Sequence, residues 1–97
     1  MNDMLIVLKA LAPDTATVTA MADDCLHVTD RWPGRAERYT LQFSRRPDGA
    51  WDVFAMAEDD PFGASSRRLA PFRPCDVLRL KRFFADPLRW FLKGVKA

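Results

Sequence analysis

Between Arg38 and Glu58 the chain reads RYTLQFSRRPDGAWDVFAMAE, and no other stretch limits the fold as much. Tyr39, Leu41 and Phe43 alternate with Thr40, Gln42 and Ser44, a period of two that an extended strand converts into one apolar and one polar face. RPDG then reverses the chain. Pro47 presets φ for the first central turn position, Asp48 can accept a bond from the backbone ahead of it, and Gly49 takes positive φ without steric cost. From Trp51 to Glu58 the chain runs back, with Trp51, Val53 and Ala55 on one side and Phe54 and Met56 on the other. The reading is a β-hairpin, and with it an antiparallel sheet. The second side of the returning strand is too apolar for open water, which predicts either cover within the fold or contact with another molecule.

Three strands are expected upstream. Met4 to Leu11 is almost continuously apolar and stops before Pro13, which predicts a strand buried on both faces, with a short helix as the competing reading. Thr15 to Ala22 alternates threonines with Ala16, Val18 and Ala20 and reads as a second strand. Asp23 and Asp24 turn the chain into a third, Cys25 to Trp32, with Leu26 and Val28 on one side and Cys25, His27 and Thr29 on the other. A helix over Thr17 to Val28 is the alternative, and its many threonines argue against it. RWPGRAER is a loop, punctuated by Pro33 and Gly34.

Beyond the hairpin, residues 59–74 (DDPFGASSRRLAPFRP) hold three prolines and one glycine. They read as a long irregular loop crossing the sheet, pinned by Phe62, Leu69 and Phe72. The closing CDVLRLKRFFADPLRWFLKGVKA changes period. At about 100° per residue, Leu80, Phe84, Leu88, Phe91 and Val95 fall in line with Val77, while Arg79, Arg82, Asp86, Arg89, Lys93 and Lys96 gather opposite. Within a helix Pro87 costs about 3 kcal/mol, but Asp86 is a good N-cap and Pro87 suits a first helical position. Two consecutive helices, or one bent helix, are predicted. The expected fold class is therefore α+β: an antiparallel four- or five-stranded meander sheet covered on one face by a kinked C-terminal helical segment. Ninety-seven residues suit a single compact domain, 1–97, divided into sheet (1–58), crossing loop (59–74) and C-terminal helices (75–97).

The net charge of +2 conceals a gradient, since residues 1–72 carry eight Lys and Arg against eleven Asp and Glu, and residues 73–97 carry seven against two. A basic end on an acidic body suggests an anionic partner or self-complementary assembly. Phe83 and Trp90 lie off the apolar line of the helical pattern and flank its basic side. With Arg79, Arg82, Arg89 and Lys93 they make the expected partner-binding surface, because Trp and Arg dominate binding hot spots. A protein partner is the leading expectation and a homodimer is compatible with it. Nucleic acid is the alternative. Eleven arginines outnumber four lysines, and Arg45, Arg46, Arg67 and Arg68 could join the helical stripe in one phosphate-binding track. Adsorption to a membrane surface fits the tail's composition less well than either.

Little points to catalysis. Cys25 and His27, two apart on a strand, share a face and could begin a nucleophilic pair, but that is equally a packed cysteine beside a surface histidine. Cys25, His27 and Cys75 lack metal-ligand spacing, so no metal and no cofactor are expected. Cys75 at a helix start could have an activated thiol, although an inert half-buried one is the simpler reading. Glu58, Asp59 and Asp60 do not form a calcium loop and read as a solvated turn. Phosphate-binding glycine loops and dinucleotide fingerprints do not occur. Two cysteines are too few for a secreted disulfide scaffold, and Asp3 and Lys9 spoil any export signal, so a bacterial-type cytoplasmic, non-enzymatic adaptor, inhibitor or regulatory subunit is the functional expectation.

Overall fold

The computed structural model describes residues 2–31, 36, 38–57 and 66–86. In chain order the elements are α1 (Asp3–Leu11), β1 (Thr17–Ala22), β2 (Cys25–Arg31), β3 (Arg38–Arg45), β4 (Trp51–Ala57), β5 (Ser66–Phe72) and α2 (Val77–Ala85). The five strands form one antiparallel sheet in sequence order, β1-β2-β3-β4-β5. The fold is α+β, with a five-stranded meander.

The hairpin forms where the sequence placed it. Gly49 N–H donates to the Arg46 carbonyl (3.1 Å) and Arg46 N–H to the Ala50 carbonyl (2.7 Å). Gly49 has φ +87°, in the left-handed region where a side chain would be strained. Asp48 accepts from Ala50 N–H at 3.0 Å, and that bond, ahead of Arg46 and Arg73 nearby, holds its carboxyl below the usual carboxylate range. Tyr39, Leu41 and Phe43 of β3 and Trp51, Val53 and Ala55 of β4 are all buried. Leu26 and Val28 continue the same face across β2.

Two elements differ from expectation. Met4 to Leu11 is helix α1, not a strand. Asn2 caps it, its side-chain oxygen accepting from Leu5 N–H at 3.1 Å, Asp3 stands in the first turn and Lys9 in the last, charges that complement the helix dipole. An unbroken apolar run carries no period, so Leu5, Ile6, Val7 and Leu8 could not choose between helix and strand. In the folded chain Met4 and Leu8, four apart, are fully buried, whereas Ile6 on the other side is 50% exposed. The sheet therefore begins at Thr17, and the helix alternative for residues 17–28 is excluded by β1 and β2.

The second correction concerns the crossing loop. Ser66–Phe72 is strand β5, pairing with β4 through Met56↔Ser66, Ala55↔Arg67, Phe54↔Arg68 and Val53↔Leu69, with a register shift before Trp51↔Phe72. Two arginines and Pro71 hid it. A proline is excluded from a central strand but tolerated at a sheet edge, where one side of the ladder is open. Leu69 and Phe72 are buried as the sequence suggested, but as strand residues, and Phe62 lies outside the described residues.

Helix α2 ends where Pro87 required. The Asp86 N–H bonds back to the Arg82 and Phe83 carbonyls, so Asp86 closes this helix, and the expected continuation over residues 87–97 lies outside the described residues. Met4 and Leu8 of α1 share one core with Leu80, Phe83 and Phe84 of α2 and with the inward row of the sheet. Among the described residues both helices serve the same sheet face, so the C-terminal helix is not the only cover.

Candidate functional site

The basic-aromatic surface read from the sequence does not survive intact. Phe83 is 2% exposed, its ring edge-on to Phe72 (6.4 Å between centroids) and to Phe84 (5.5 Å). It is a core residue and cannot anchor a partner. Leu80 and Phe84 of the predicted apolar line are buried, whereas Val77 on the same line is 36% exposed. The buried arc is rotated away from it, spanning Phe84, Leu80 and Phe83 over about 100° of the helix circumference. Arg79 lies next to that arc and is engaged with its own fold. Its guanidinium stacks over Phe72 at 4.5 Å and donates to the Pro71 carbonyl (3.1 Å) and to Asp76 Oδ2 (3.3 Å). Arg82 is exposed and shares the outward arc of α2 with Lys81 and Leu78, the last 69% exposed. Arg89, Trp90 and Lys93 lie outside the described residues.

Of the arginines read as possible nucleic-acid contacts, two have partners within the hairpin. Arg45 lies over the Trp51 ring at 5.7 Å, and Arg46 pairs with Asp48 (3.3 Å) and Asp52 (3.9 Å). In register Arg67 is opposite Ala55 and Arg68 opposite Phe54.

Cys25 and His27 do share a face of β2, both half-buried, and their neighbours across the ladder are Ser44 and Gln42. No base-orienting acid faces them there. Cys75 is exposed and, like Cys25, a free thiol. Among the described residues no group of three or more His, Cys, Asp or Glu could hold a metal ion. Glu58, Asp59 and Asp60 lie outside the described residues.

Among the described residues, the strands also present a sheet face that neither helix covers, the open face. Its ladder rows run Thr17, Thr29, Thr40, Met56 and Thr19, His27, Gln42, Phe54. Phe54 and Met56 are half-buried; their partners on β3 are Gln42 and Thr40, while Asp52 precedes Phe54 by two residues on the same side of β4 and Arg68 is its partner in register on β5. Thr29 and Thr40 share a hydroxyl hydrogen bond (3.2 Å) and Gln42 Nε2 donates to Ser44 Oγ (3.4 Å). The alternation of β4 signalled this surface, since it put Phe54 and Met56 together; the rows of partners on other strands depended on register and could not be read.

A separate polar feature sits at the core's margin. Asp30, 7% exposed, accepts from Thr15 Oγ1 and from Arg31 N–H, each at 2.8 Å, and is paired in register with buried Tyr39. Burial first, and the Asp30 charge second, push the Tyr39 phenol far above its ordinary value. No protein-family model, no curated protein and no solved structure matches the chain.

Proposed function

We propose that this chain is a non-enzymatic protein-binding module whose partner docks on the open face of the sheet around Phe54 and Met56. The observation that carries the reading is the position of these two side chains on the sheet face opposite both helices, beside Thr40 and Gln42 of β3, with Asp52 and Arg68 as the adjoining charged positions. Apolar anchors beside hydrogen-bonding side chains, with one acid and one arginine adjoining, suit a protein surface better than a polyanion, which needs a wider basic field. The fitting partner is a protein segment with apolar side chains and backbone or amide hydrogen-bonding groups. On α2, exposed Leu78, Lys81 and Arg82 offer a second, basic contact zone, of which Arg82 alone belongs to the surface read from the sequence. Two free cysteines fit a reducing cytoplasmic setting.

The test is affinity capture followed by quantitation of any identified partner against the double variant Phe54→Ser, Met56→Ser. Binding weakened by about tenfold or more, with native circular dichroism retained, is the expected result. Unchanged affinity removes the open face from the account, and loss instead with Arg89→Ala, Trp90→Ala moves the site to the C-terminal residues. Binding to a generic oligonucleotide that falls steeply as salt rises would favour nucleic acid.

A further inference from the structure

The two outer strands of the sheet, β1 and β5, are built differently. β5 carries Arg67, Arg68 and Pro71, the charges and the missing N–H by which an edge resists pairing with another chain. β1 reads TVTAMA, without charge or proline. Five of its six residues are exposed, Val18 alone being intermediate, and Met21 is 60% exposed. Backbone bonds of a strand alternate in direction, so about half of the β1 amides and carbonyls face β2 and the rest face outward. Among the described strands β2 is its one neighbour.

We infer that β1 is a homodimerisation edge, in which Thr17–Ala20 pairs antiparallel with the same segment of a second copy and joins the two sheets across a twofold axis. An antiparallel edge is self-complementary, because rotation about an axis normal to the sheet reverses strand direction while keeping like faces on the same side. With the axis at Val18 or Thr19, threonines of one copy meet outward-row residues of the other, and Val18 and Ala20 meet their own kind on the helix side. The open-face rows then run on from one copy into the next. Charge is compatible with a second copy and disfavours an acidic segment: Thr17–Ala20 is uncharged, so two identical segments meet without like charges opposed within the paired residues, while exposed Asp14, Asp23 and Asp24 beyond its ends would repel an acidic strand. The register shift between Ala20 and Ala22 limits regular pairing to four residues. The dimer is accordingly weak and forms with rising concentration.

This edge is distinct from the face proposed for a partner, so the two are tested apart. Sedimentation equilibrium of the whole chain should show the mass rising from that of the 11.1 kDa monomer toward twice that value between micromolar and millimolar concentration. Thr19→Lys places like charges near one another across the axis and should weaken the dimer about tenfold or more, while Met56→Lys on the open face leaves it unchanged. In wild type, alternate amides of residues 17–20 should gain protection from hydrogen exchange as concentration rises. A monomer at every concentration overturns the inference. So does protection that is independent of concentration, which would mean the chain covers its own edge, and so does a dimer lost with Met56→Lys but not with Thr19→Lys, which would mean pairing through the face. The wild-type exchange measurement decides the matter even if a variant fails to fold.

Discussion

Tyr39 is the chain's one tyrosine, 1% exposed and beside a carboxylate that two hydrogen bonds hold in place. Its folded pKa lies above the unfolded value of about 10, so the native state keeps a proton that the unfolded chain loses. The associated stability is present in full below about pH 10 and declines as pH rises toward the folded pKa. Tyrosinate absorbance should therefore be missing at about pH 11 while circular dichroism is native, and the two should change together at higher pH. Tyrosinate forming near its ordinary pH in a native protein would contradict this burial. The inward position of Tyr39 could be read from its alternation with Thr40 and Gln42. Asp30 could not be read as buried: parity with Leu26 and Val28 puts it on the core face, but an acid is expected there only with partners, and Thr15 is fifteen residues away in the chain.

Among the elements, α2 shows how little separates an anchor from a core residue. Phe83→Ala should cost about 3–5 kcal/mol in urea unfolding, as removal of a buried ring does, whereas Arg82→Ala one position earlier should change stability by about 0.5 kcal/mol or less. Equal and small effects would mean that α2 does not pack as described. Periodicity identified this helix, its end at Pro87 and the burial of Leu80 and Phe84, but a line through Val77 left Phe83 outside the apolar arc. The arc that becomes buried is chosen by what lies opposite, here Phe72 of β5, and β5 itself was hidden. α1 is the complementary case. Its signals, the Asn2 cap and Pro13 beyond the end, are local and were present in the sequence, yet four consecutive apolar residues masked the period that would have made them decisive.

Across the whole molecule the two helices are tied to the sheet through a shared set of buried side chains. α1 is also fastened at its start by Asn2 Nδ2 donating to the Asp23 carbonyl of the β1–β2 turn (2.9 Å), and α2 by Arg79 against Phe72 and Pro71. Leu8→Ala in α1 and Leu80→Ala in α2 should each cost about 2–5 kcal/mol, and unfolding followed by helix signal and by the environment of Trp51 should coincide in both variants. A helix signal that melts ahead of the tryptophan signal would mean that α1 is not part of the common core. The hairpin, the strands on either side of Asp23 and Asp24, and the stop at Pro87 were all decided by neighbours along the chain, because turn chemistry and side-chain alternation act over a few residues. The state of residues 3–11, the recruitment of Ser66–Phe72 as a fifth strand and the burial of Phe83 were settled by partners distant in sequence. Each of those segments is locally ambiguous, and the choice falls to whichever arrangement removes its apolar side chains from water.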